Sequence, residues 1–262
     1  VNMYLTKELA FEIEDCIKHT HIEMANSFPL GKILELGGGA ACFAGLSSFF
    51  SQVVAWGFEL KSKQFKPQIE AIEDFYRSCG HSRVDLELCP LVGNDLLIAL
   101  GQRGYRITEM NNISFLDLAH YSLNEEKVQF EIRQIASHEV RQWAKTIALG
   151  FGYIEAQEQF IHYAQLKGVR AFAVYDNEQI VAGATIAIHG PVADLGVTST
   201  LPAYRNRGLQ KLLLKERLKF AIDEALPLVT VTTEPGSISD LNIQKIGFRC
   251  AYTRVKMTLT IK

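Results

Sequence analysis

An α/β fold of the α+β kind, in two domains, is predicted for this chain from three observations. Strand-like and amphipathic helical runs alternate from Val128 to the end, part of that order recurs before residue 125, and a basic turn containing glycine joins one strand to one helix. At 262 residues the length fits one large or two ordinary domains, and 48% hydrophobic against 21% charged residues supplies material for a core. The expected division is residues 1–125 and 128–262, with a linker near Ser122–Lys127.

In the first half, Gln52–Phe58 reads as a strand and the segment from Pro67, with Ile69, Ile72 and Phe75 on one face, as a helix. Arg83–Cys89 alternates Val84, Leu86 and Leu88 as a strand, Asp95–Leu100 is helical, and Gly104-Tyr105 opens another strand. In the second half, Val128–Arg133 alternates as a strand and Ser137–Ile147 is a helix with a serine cap, broken at Gly150–Tyr153. A short helix spans Ala156–Leu166. Strands Ala171–Tyr175 and Gln179–Ile188 flank the turn Asp176-Asn177-Glu178 as a hairpin, and His189-Gly190-Pro191 leads into a strand over Val192–Thr200.

The helix after Gly208 sets Leu209, Leu213, Leu214, Leu218 and Ala221 against a stripe of Lys211, Lys215 and Lys219. Leu228–Thr233 is a β-branched strand, Ser237–Ile246 a short helix stopped by Gly247, and Arg249–Ile261 the closing strand.

The turn Thr200-Leu201-Pro202-Ala203-Tyr204-Arg205-Asn206-Arg207-Gly208-Leu209-Gln210 is suited to an anion. The first amides of a helix have no acceptor inside the helix and carry the positive end of its dipole; two arginines add charge, and glycine permits close approach. With Arg205 in first place and Gly208 in second, the spacing resembles the acyl-CoA signature of the GNAT superfamily of N-acetyltransferases, Gln/Arg-x-x-Gly-x-Gly/Ala; Gln210 departs from it. The resemblance covers 128–262 and implies a mixed central sheet flanked by helices. The first half, which has no glycine in Leu60–Lys66, resembles a smaller, degenerate GNAT-like unit in tandem with the second.

The resemblance implies acetyl-CoA as cosubstrate and direct acetyl transfer to an amine. It maps pyrophosphate contacts onto Arg205, Asn206, Arg207, Gly208, Leu209 and Gln210, and places the amides that hold the pantetheine arm and acetyl oxygen at Thr198, Ser199 and Thr200. Asp194 and Glu234 are the candidate bases. Ile243 occupies the place where many members carry an acidic tyrosine, so Tyr252 is the candidate acid, and Asn242 and Ser239 are placed to hydrogen-bond the pantetheine. Phe151 and Tyr153 fall where the family's acceptor pocket lies. The acceptor itself is not identified: an amino acid, a polyamine, an antibiotic and a peptide N-terminus all remain open.

Ile33-Leu34-Glu35-Leu36-Gly37-Gly38-Gly39-Ala40-Ala41 resembles instead the first motif of S-adenosylmethionine methyltransferases, with Val53–Glu59 as the second strand; this requires a parallel βαβ unit with a helix over Ala40–Phe50. A non-catalytic acyl-CoA sensor is a further alternative. Net charge is −2, which recommends neither nucleic acid nor an anionic membrane as partner. The five cysteines form no Cys-x-x-Cys pair, His138, His162 and His189 stand apart, and no metal is expected. With no cationic apolar leader and no apolar run of about 18 residues, the expected location is the cytoplasm.

Overall fold

A computed structural model describes residues 4–119, 121–123 and 129–261. The first half runs α1 (Lys7–Ser27), β1 (Lys32–Leu36), β2 (Gly39–Phe43), β3 (Val53–Val54), α2 (Phe65–Ser78), β4 (Arg83–Leu88), α3 (Asn94–Arg103) and β5 (Arg106–Asp117). There follow β6 (Glu131–Gln134), α4 (Val140–Phe151), α5 (Gln157–Ala164), β7 (Val169–Asp176), β8 (Gln179–His189), β9 (Val192–Asp194) and β10 (Thr198–Thr200). The chain closes with α6 (Leu209–Asp223), β11 (Leu228–Thr233), α7 (Ile238–Ile246) and β12 (Arg249–Thr260). Val128 and most of the expected linker lie outside the described residues.

Contacts divide the chain into two compact units, Val1–Ser114 with Thr232–Lys262, and Phe115–Val231. This differs from a division at 125–128 because the last strand joins the first half: β12 pairs antiparallel with β4 from Val255↔Leu88 to Thr260↔Arg83. Its other edge meets β5, where Thr253 Oγ1 donates to Asn112 Oδ1 at 2.9 Å and Lys256 Nζ to Glu109 Oε2 at 2.8 Å.

In the first unit, β1 and β2 form an antiparallel hairpin through Gly37 and Gly38, whose φ values of 55° and 82° suit a turn that L side chains resist. The helix expected over Ala40–Phe50 does not form, since Gly39–Phe43 is a buried strand followed by turns, and the parallel βαβ unit of the methyltransferase reading is absent there. Strand β3 pairs parallel with β4 at Val53↔Leu86, with α2 as the crossover. Trp56, Ile72, Tyr76, Leu86, Leu96 and Met257 fill the core. Helix α1, whose apolar spacing was not recognised in the sequence, buries Ala25 against Ala40 and Cys42.

In the second unit the strand order is β11-β9-β8-β7-β6, with β10 also on β8. Strands β9 and β11 run parallel, Leu228↔Val192 to Thr230↔Asp194, and α6 crosses between them. The first unit repeats this plan as β3–α2–β4. Trp143 of α4 is 0% exposed and donates its Nε1–H to the Phe172 carbonyl at 2.9 Å. Truncating it to alanine would cost about 3–5 kcal/mol. The strand expected over Val192–Thr200 breaks in two at Leu195-Gly196-Val197.

Candidate functional site

The break sets up the site. The Leu195 amide still donates to the Thr230 carbonyl at 2.8 Å, which ends the ladder with β11. Beyond it the Thr185 amide donates to the Val197 carbonyl at 2.9 Å and the Leu201 amide to the Val181 carbonyl at 3.0 Å, with Ser199 opposite Gly183. Val197, Ser199 and Leu201 therefore turn their main chain toward β8, and alternation turns that of Thr198 and Thr200 toward the opposite edge. Among the described strands β10 pairs with β8 alone.

Ser199 corrects the expectation that all three residues offer amides. Its main chain belongs to the β8 ladder, and its buried Oγ donates to the Ile147 carbonyl at 3.1 Å. It docks β10 on α4 so closely that a Cβ at Gly150 would stand 2.0 Å from that oxygen.

After β10 the chain makes a single 3-10 turn at Pro202–Tyr204; Arg205 is extended, Asn206 has φ 62° and Gly208 φ 76°. Gly208 caps α6 without a side-chain hydrogen bond. Two left-handed residues ahead of a helix N-terminus curl successive amides into a concave, anion-attracting surface. Arg205 is anchored by Nη2 to the Gly150 carbonyl at 2.7 Å and by Nε to the Thr200 carbonyl at 3.4 Å. Arg207 lies over the Tyr204 ring, 4.8 Å from its centroid, and donates to the Ala203 carbonyl at 3.2 Å. Tyr204 in turn donates to Asp176 Oδ2 at 2.8 Å, pinning the turn to the β7–β8 hairpin. Leu209 is buried as the helix's anchor, Gln210 is half-buried, and Arg205, Asn206, Arg207 and Gly208 are exposed.

Asp194, at the end of β9, accepts from Thr230 Oγ1 at 3.2 Å and attracts the buried guanidinium of Arg217. Phe151 stacks on Phe160 with centroids 5.8 Å apart, and Tyr153 is exposed beside it.

Glu234, Asn242 and Tyr252 belong to the first unit. Glu234 is exposed in the turn after β11, Asn242 and Ser239 are half-buried on α7, and Ile243 is a core residue. Tyr252 is not placed as an acid: it is buried and donates to Glu14 Oε1 at 2.6 Å, the carboxylate that Arg254 Nε also holds at 3.0 Å. Burial and the Glu14 charge hold its hydroxyl well above the usual tyrosine range. Among the described residues no group of three or more His, Cys, Asp or Glu side chains stands close enough to hold a metal.

Arg217 was missed in the sequence. Its signal was a single arginine among Leu213, Leu214, Leu218 and Ala221 on the apolar face of α6.

Residues 137–248 match the model of the Acetyltransferase (GNAT) family. The chain carries a GNAT-family domain. A GCN5-related N-acetyltransferase from Kribbella flavida superposes with TM-score 0.71 at 17% identity, covering 94% of this chain and 95% of that one. One from Sphaerobacter thermophilus gives 0.65 at 12% identity over 88% and 76%. A tandem GNAT protein from the clavulanic acid biosynthesis pathway gives 0.62 at 14% identity over 92% and 87%. At these identities the likeness is one of fold, and it extends beyond residues 137–248 to the first half. A comparison with curated proteins returned no match.

Proposed function

We propose that the protein is an acyl-CoA-dependent N-acetyltransferase that moves an acetyl group from acetyl-CoA to a primary amine. The observation that carries this reading is the turn Arg205–Gly208, with its two left-handed residues, two guanidinium groups and a helix start without a side-chain cap. Main-chain amides there and the flanking arginines hold the diphosphate, and Thr198 and Thr200 present main chain to the pantetheine arm. The amine nitrogen attacks the thioester carbonyl in a ternary complex, the C–S bond breaks, and no covalent enzyme intermediate forms. The amine's proton leaves to water or to a carboxylate, for which Asp194 is the candidate within the second unit; water protonates the departing thiolate.

Residues 128–262 form the transferase domain in this reading and 1–125 the degenerate partner. In the first half the Gln64 side chain accepts from the Lys61 amide at 3.0 Å, so the turn leading into α2 is closed by the chain itself. No helix among the described residues is long and apolar enough to cross a membrane. The free cysteines, with Cys42 and Cys89 pushed up to about 12 mainly by burial, accord with a reducing cytoplasm.

The test is release of free thiol from acetyl-CoA across a panel of primary amines, with Arg205→Ala as control. Amine-dependent release that the control loses supports the transferase. The buried Ile243 favours a second reading, an acyl-CoA-binding sensor, which tight acetyl-CoA binding without release for any amine would establish.

A further inference from the structure

The point where β9 gives way to β10 is held by a side chain from the helix behind it. Arg217, on α6, is 3% exposed. Its Nη1 donates to the Thr185 carbonyl at 2.9 Å and the Gly196 carbonyl at 3.3 Å, and its Nε to the Leu213 carbonyl at 3.1 Å. In a regular antiparallel pair, Thr185 and Val197 exchange two bonds. Here the Val197 carbonyl takes the Thr185 amide, and the Thr185 carbonyl goes to the guanidinium. One cation thus stands in for strand pairing on both sides of the break.

Burial pushes the Arg217 guanidinium down to about 10 while Asp194 and Tyr163 draw it up, so it stays charged at neutral pH. A buried cation is costly unless it is hydrogen-bonded and near an opposite charge, and here the carbonyls of the break and the Asp194 charge supply both. The break is also closely fitted from the other side: a Cβ on Gly196 would stand 2.6 Å from Tyr163 Oη and 3.0 Å from Thr185 Oγ1.

We propose that Arg217 is a positioning residue, which fixes the break between β9 and β10 so that Thr198 and Thr200 present their main chain to the pantetheine arm of an acyl-CoA. The inference rests on the coenzyme reading above and adds to it a division of labour within α6. The helix N-terminus grips the diphosphate, and Arg217, more than two turns further on, sets the strand that receives the arm.

The two tasks separate by ligand. 3′-Phospho-ADP is coenzyme A without its pantetheine arm and reports on the diphosphate turn alone. In Arg217→Lys one ammonium replaces a fork that reaches three carbonyls. Calorimetric titration should show acetyl-CoA bound about tenfold or more weakly, while 3′-phospho-ADP changes by less than about twofold. Gly196→Ala, which disturbs the break and leaves Arg217 in place, should give the same selective loss and stands alone if Arg217→Lys does not fold. Equal losses for both ligands, or no loss for either, in a variant with wild-type near-ultraviolet circular dichroism overturn the proposal while the coenzyme reading stands. A wild-type protein that binds neither ligand overturns the coenzyme reading, and this proposal with it.

Discussion

Gly208 separates conformational cost from charge at the proposed diphosphate site. Its φ of 76° and ψ of 8° are left-handed, and a Cβ there would meet nothing within 4 Å. Any L residue therefore incurs about 1–2 kcal/mol of backbone strain without a steric clash, a fall in melting temperature of about 2–8 °C. Gly208→Lys and Gly208→Glu share that penalty and differ in charge. A carboxylate about 5 Å from a diphosphate costs about 3 kcal/mol per charge pair at the effective dielectric of a protein surface, a loss of about a hundredfold or more in affinity. The lysine variant should hold acetyl-CoA within about tenfold of wild type. Thermal melts and calorimetric titration at low ionic strength measure both quantities. Matching melting temperatures with equal affinities in the two variants would refute the placement of a diphosphate at this turn.

Three further outcomes follow from the same structure. His21 is buried with Nδ1 on the Ile17 carbonyl at 2.9 Å and Nε2 facing Gln52 Nε2 at 3.0 Å, an arrangement that suits the neutral ring, and burial pushes it down to about 4. The unfolded chain, titrating near 6.5, binds the proton first, so this share of stability is full above pH 6.5 and is lost as pH falls toward 4, by about 3 kcal/mol; denaturant titrations should show that slope, and His21→Gln should remove it. Tyr252→Phe should leave the acetyl-transfer rate within about twofold of wild type while costing about 1.5–3 kcal/mol of stability, because Glu14 loses a donor. Glu14→Gln leaves Arg254 buried beside a neutral amide and should destabilise by about 3–5 kcal/mol, read by denaturant unfolding of the same unit.

Local patterns carried much of the fold. Leu228–Thr233 reads as a strand from its own β-branched residues, and Gly247 stops α7 at the position its left-handed backbone requires. What escaped is non-local. Nothing in Arg249–Thr260 says that it pairs with Arg83–Leu88 and so joins the first half, because alternation marks a strand and not its neighbour. The break at Gly196 escaped for a related reason: Val192–Thr200 reads as one extended run, and the change of partner lies in the direction of main-chain bonds. The turn from Arg205 to Gly208 was legible because its chemistry is local, whereas Tyr252 was misplaced because its partner, Glu14, lies 238 residues away in sequence.

A crystal structure of the protein with acetyl-CoA would locate the diphosphate directly. The diphosphate should lie at the start of α6, within hydrogen-bonding distance of main-chain amides at Gly208 and Leu209 and flanked by Arg205 and Arg207. A diphosphate seated elsewhere, or no bound coenzyme at saturating concentration, would contradict this placement.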